Sequence, residues 1–185
     1  MPKRAAAFVE MQEAARHDDA DSSAEYVDIK IVGGVEVNPP GKYPYMVNAG
    51  GCGASLVAPN VILSAAHCAG YIQTVRIGRH DLSDNSEQYE TFTIAQEVPH
   101  PNYNPNTLDY DYMMLKLNGS SSYAPVTLDD GSAINLVSGQ DLVVAGWGTT
   151  SSGGSVSDLL LQAEVDYVDN SSCNGDYGAG SITDR

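Results

Sequence analysis

The stretch VAPNVILSAAHC, residues 57–68, carries the first decision about the fold. Val57, Val61, Ile62 and Leu63 favour a pleated backbone, and the run is too short and too apolar for a surface helix, so residues 57–64 read as a buried strand. It closes on small residues and then on His67 and Cys68. Working outward, similar short runs recur at residues 73–78, 90–98, 110–117, 142–148 and 159–168, set apart by Gly, Pro and Asn. No convincing helical period of apolar residues is found among them. The expected fold class is therefore all-β. The stretch NGSSSYAPVTLDDGS, residues 118–132, is linker-like and divides the strands into two groups, so two β modules joined by a crossover are expected.

Composition narrows the function classes. With 24 Asp+Glu against 9 Lys+Arg, the net charge of -15 argues against nucleic acid or an anionic membrane as partner. The hydrophobic content of 42% suffices for a core, but no apolar run approaches the roughly 20 residues that cross a bilayer. Residues 1–30 stand apart. AAAFVEMQEAAR, residues 5–16, is helix-forming, and a polar run containing Asp18, Asp19 and Asp21 follows. Lys3 and Arg4 before an apolar segment suggest a secretion signal, but Glu10 interrupts it, so a flexible leader is expected.

Three cysteines, Cys52, Cys68 and Cys173, leave one without a partner inside the chain. The adjacent His67 and Cys68 admit three readings. A zinc site would need His80 or His100 at spacings that match no common pattern. A structural histidine is the second. The third is a general base fixed by a disulfide from Cys68 to Cys52, closing a loop whose constraint is worth roughly 3 kcal/mol in the chain-entropy account.

Five motifs in order then carry a resemblance. Ile31-Val32-Gly33-Gly34, Gly51-Cys52-Gly53-Ala54-Ser55-Leu56, Ala65-Ala66-His67-Cys68, Asp109-Tyr110-Asp111 with the following Tyr112-Met113-Met114-Leu115-Lys116-Leu117, and Gly146-Trp147-Gly148 closely resemble the chymotrypsin/trypsin family of serine peptidases. The resemblance covers residues 31–185. It implies two antiparallel β-barrels of the trypsin-like type, the first over residues 31–120, a crossover at 121–132 and a partial second barrel over 133–185. It implies that His67 is the general base and Asp111 the carboxylate that orients it. Asp109 is the alternative acid; on a strand the two would share a face, but the apolar run begins directly after Asp111, as in the family pattern. Lys30-Ile31 resembles an activation bond, which would make residues 1–30 a propeptide released by an activating trypsin-like peptidase. Protein and peptide substrates, a secreted setting and no cofactor are implied as well.

One motif is not found. No Gly-Asp-Ser-Gly-Gly occurs in the 185 residues. Gly131-Ser132, Gly154-Ser155 and Gly180-Ser181 come nearest, and none carries the flanking residues of a known nucleophile motif. The expectation is a fragment of a longer peptidase, inactive as given, with Cys173 awaiting a partner beyond Arg185. A non-catalytic homologue that binds a protein partner is the rival. Asn118-Gly119-Ser120 and Asn170-Ser171-Ser172 are glycosylation sequons. Residues 78–89 hold Asp81, Asp84 and Glu87, but Arg79 stands where the resemblance would place an acidic calcium ligand, so no metal is expected and the loop reads as a solvated acidic segment.

Overall fold

The structure is a computed structural model that describes residues 31–130, 136–151 and 154–183. The leader, Lys30 and Ser132 lie outside the described residues. In chain order the strands are β1 (Val35–Glu36), β2 (Met46–Ala49), β3 (Cys52–Ala58), β4 (Val61–Ser64), β5 (Thr74–Ile77), β6 (Glu90–Pro99), β7 (Met113–Leu117), β8 (Asp141–Gly146) and β9 (Leu161–Asp166).

The stretch expected to be one strand is the two arms of a hairpin. β3 and β4 pair antiparallel with Leu56 opposite Ile62, and Pro59-Asn60 form the turn. Pro59 has no N–H to give a ladder, so the chain reverses there. The turn carbonyls are used instead: Ser121 N–H donates to Pro59 O at 2.7 Å and Leu117 N–H to Asn60 O at 3.0 Å. Strands then pair in the order β2-β3-β4-β7-β6-β5, and β5 returns to β2, with Val47 opposite Ile77. Closure removes the free edges that an open sheet would present. Side chains of alternate residues point inward, and Val47, Leu56, Ile62, Val75, Ile77, Met113 and Leu115 form a core that solvent does not reach.

The second module is a three-stranded sheet in the order β1-β9-β8. β1 lies within residues 31–120, yet its partner is β9, with Val35 opposite Gln162. A smaller core of Val37, Tyr43, Met46, Val143 and Leu160 fills this side. Tyr45 packs against both cores.

The absence of helices expected from sequence needs correcting. A short 3-10 turn spans Ala66–Cys68, and α1 spans Asn170–Tyr177. α1 buries none of its residues, so it has no apolar stripe by which a sequence period could reveal it. Its formation is local. The Asp169 carboxylate accepts from the N–H groups of Ser171 and Ser172, and the Ser171 hydroxyl, the Ser138 hydroxyl and the Ser172 N–H and hydroxyl hold the Asp169 carboxyl far below its ordinary range.

Burial pushes the Tyr45 phenol up to about 12, with Tyr43 adding to the shift. A folded pKa above the unfolded one means that neutral Tyr45 favours the fold below about pH 10, and that this contribution is lost as pH rises toward about 12. The Tyr45→Phe variant is expected to lose less stability than the parent between these values in denaturant titrations. Parallel alkaline declines in the two proteins would contradict the assignment.

Candidate active site

β4 and β7 are antiparallel neighbours, and their register sets Ser64 opposite Met113. His67 lies three residues beyond the end of β4, and Asp111 two residues before the start of β7. Residues 44 apart in sequence are thereby delivered to one end of the barrel. The 3-10 turn then aims His67 back: Cys68 N–H donates to Ala65 O and Ala69 N–H to Ala66 O, at 3.3 and 3.0 Å. Cys68 is 2% exposed and bonded to Cys52 at the start of β3, so the residue after the histidine is tied covalently to the barrel wall.

Asp111 uses both oxygens on one residue. Oδ1 accepts the main-chain N–H of His67 at 2.8 Å, and Oδ2 lies 2.7 Å from Nδ1 of its ring. An ionised carboxylate can only accept, so Nδ1 carries the proton and Nε2 is left with the lone pair. The two bonds fix both the position and the tautomer of the imidazole. The His67 side chain is 22% exposed and that of Asp111 13%, so the base is the more open of the two. Cys52, His67 and Cys68 place donor atoms within 4.8 Å of one another, but both sulfurs are spent in the disulfide and neither is a thiolate that could hold a metal.

The expected strand over 110–117 begins only at Met113. Leu108 and Tyr110 adopt the left-handed region, with φ of 56° and 57°, so the alternation of a strand does not apply and Asp109 and Asp111 do not share a face. Asp109 turns elsewhere. Its Oδ1 accepts from Thr183 Oγ1 at 2.8 Å and its Oδ2 from Thr107 Oγ1 at 3.3 Å.

Comparison with known proteins agrees with this architecture. The family model described as Trypsin matches residues 31–185. The chain belongs to the trypsin-like serine peptidase family. The chymase of Papio hamadryas is 35% identical over 157 residues, covering 78% of this chain and 63% of the relative. The trypsin of Sus scrofa is 38% identical over 167 residues, covering 84% of this chain and 69% of the relative. The solved structure described as "Structure of GrC" superposes with a TM-score of 0.75 at 30% identity, covering 83% of this chain and 72% of that one. The chain thus spans just under two thirds of the length of the chymase it matches.

Other residues of interest in this trypsin family member take part in contacts of their own. Ile31 is 4% exposed and its N–H donates to Thr149 O at 2.7 Å, which seats it beside the end of β8 in the second module. Cys173 lies on α1 without a disulfide. Asn118 is exposed, whereas the Asn170 side chain donates to Thr183 O at 3.3 Å. Ser181 Oγ donates to Tyr177 O at 2.9 Å.

The loop over 78–89 is built around its own cation rather than being merely solvated. Arg79, 6% exposed, stacks 4.5 Å from the centre of the Tyr89 ring and donates through Nη2 to Asp81 O at 2.6 Å. Its Nε stands 3.2 Å from Glu87 Oε2, a charge contact rather than an aligned hydrogen bond. Glu87 in turn accepts the N–H groups of His80 and Asp81, at 3.0 and 2.8 Å. Hydrogen bonds from Ser83 and Ser86 hold the Asp81 and Asp84 carboxyls below their ordinary values.

Sequence reasoning missed two further histidine settings. His80 Nε2 lies 3.0 Å from Glu36 Oε1, and its carbonyl accepts from Trp147 Nε1 at 3.1 Å, linking the two modules. The His100 imidazole stacks on Tyr110 and also meets the tilted ring of Tyr112, contacts that nothing in the sequence signals. Replacing both Cys52 and Cys68 by Ser is expected to lower stability by about 3 kcal/mol, because the 16-residue loop is then unconstrained in the unfolded chain. Urea unfolding checks this, and an unchanged midpoint would contradict it.

Proposed function

We propose that this chain is the base-and-acid part of a secreted serine endopeptidase, made as a zymogen. The hydrogen-bonded pair of His67 and Asp111 carries the reading. A serine supplied by a Gly-Asp-Ser-Gly-Gly segment outside these 185 residues attacks the peptide carbonyl while His67 Nε2 takes its proton, giving a tetrahedral intermediate. Collapse breaks the C–N bond, and the same proton passes to the leaving amine. Water then hydrolyses the acyl-enzyme by the reverse use of the base. Asp111 holds the tautomer and stabilises the imidazolium throughout. The chain without that serine is inactive by this route.

Lys30-Ile31 is the activation bond in this proposal. Support comes from Ile31, which is buried in the second module with its nitrogen on Thr149 O, so a new amino terminus there would already be seated against the fold. Substrates are proteins and peptides, and the activator is a peptidase that cuts after Lys. Asn118 and Asn170 are the glycan acceptors offered by the sequence. The second reading, a non-catalytic homologue that binds a protein partner, is favoured by one observation: the 185 residues contain no Gly-Asp-Ser-Gly-Gly.

Reading the source transcript past the codon for Arg185 separates the two. An open frame through a further cysteine and that motif is expected, and its secreted product should begin at Ile31 after activation and hydrolyse peptide substrates. His67→Ala in that product is expected to lower kcat/KM by about 10⁴- to 10⁶-fold. A stop codon after Arg185, with no hydrolysis by the secreted chain, would overturn the enzyme reading in favour of a binding protein.

A further inference from the structure

We propose that His100 is a positioning residue for the acid of the pair, acting through Tyr110 and Tyr112; the inference rests on reading His67 and Asp111 as base and acid. Asp111 is the middle residue of a tight three-residue turn, in which Tyr112 N–H donates to Tyr110 O at 2.8 Å. The residue before it, Tyr110, is held at a φ of 57°, a conformation that side chains with a Cβ disfavour. A turn of that kind persists only where its surroundings hold it.

The surroundings are the two rings that flank the aspartate. The Tyr110 ring stacks on the His100 imidazole with centroids 4.6 Å apart and planes within 11°, and the Tyr112 ring lies 4.7 Å from it, tilted by 46°. His100 can serve as an anchor because it follows β6 directly, where Pro99 is still paired with Met113. Its main chain is fixed on both sides: His100 N–H donates to Tyr112 O and Tyr103 N–H to His100 O, each at 3.0 Å. Its ring is fixed as well, since Nδ1 accepts from Asn102 N–H at 3.2 Å.

The imidazole of His100 therefore clamps the residues immediately before and after Asp111 onto the end of the barrel. Asp111 must offer both oxygens to His67 at once, which a turn free to rotate could not sustain. His100 touches neither His67 nor Asp111 in this scheme; it sets the angle at which the carboxylate arrives. The interaction required is the flat aromatic face, not the proton.

The test is the ring tautomer of His67, read by long-range ¹H–¹⁵N correlation in the histidine-labelled 185-residue chain at a pH where imidazole is neutral. The parent is expected to show the Nδ1–H form alone. His100→Ala should convert His67 to a mixture of both tautomers while the amide signals of the barrel stay in place, and His100→Phe, which keeps the aromatic face, should restore the parent pattern. Tyr110→Gly, which accepts the positive φ but removes one ring, should behave as His100→Ala. A parent-like tautomer in His100→Ala would overturn the inference, as would His100→Phe behaving like His100→Ala. Should His100→Ala lose the barrel signals, Tyr110→Gly decides, and a parent-like tautomer there overturns the inference. A parent without the Nδ1–H form would overturn the base-and-acid reading itself, and this inference with it.

Discussion

The pairing of Ser64 with Met113 is the constraint on which the site depends. Side chains on a strand alternate with a period of two, so a slip of one residue between β4 and β7 would turn Ile62 and Leu115 out of the core and carry His67 away from Asp111. Both core residues are wholly buried, which gives the correct register the full hydrophobic advantage. Barrel closure through β2 and β5 holds β4 and β7 from the far side, and the disulfide from Cys52 to Cys68 fixes the segment just past His67. Three independent restraints thus converge on one hydrogen-bonded pair. Preorganisation of this kind is what an acid and a base need if they are to act without rearranging during the reaction.

The second module is coupled to the first at several points of different chemistry. Tyr45 shares its ring between the two cores, the indole of Trp147 bonds the His80 carbonyl, and Glu36 reaches the His80 ring. Thr183 meets Asp109 in the loop that presents Asp111, so the segment after α1 also leans on the site. The short sheet β1-β9-β8 therefore meets the barrel through both polar bonds and apolar packing.

How much of this was legible depended on the kind of signal. The all-β class followed from short apolar runs, and β5, β6, β8 and β9 lie where those runs are. The hairpin of β3 and β4 was hidden because both arms are apolar and only Pro59-Asn60 marks the reversal. Tyr110 falls in the run expected as strand because the apolar residues that follow it are those of β7, while its own backbone is left-handed, which composition does not reveal. α1 carries no apolar stripe and depends on a cap at Asp169, which a period cannot reveal. His67 and Asp111 were identified only through a resemblance; nothing in composition or spacing would have brought two residues 44 apart together. The role of Arg79 as an internal counter-charge was half visible, as a cation in an acidic loop, but its partner Glu87 needed coordinates.

The site exists only if the carboxylate of Asp111 sits on the ring of His67 in the folded chain. The most direct measurement is a solid-state NMR dipolar distance between ¹³Cγ of Asp111 and ¹⁵Nδ1 of His67 in the selectively labelled 185-residue chain. Strong dephasing is expected, corresponding to a hydrogen bond with the 2.7 Å separation of Nδ1 and Oδ2. Absence of dephasing in a sample whose β4 and β7 amides remain protected would contradict it, because the register would then be intact and the pair would not be.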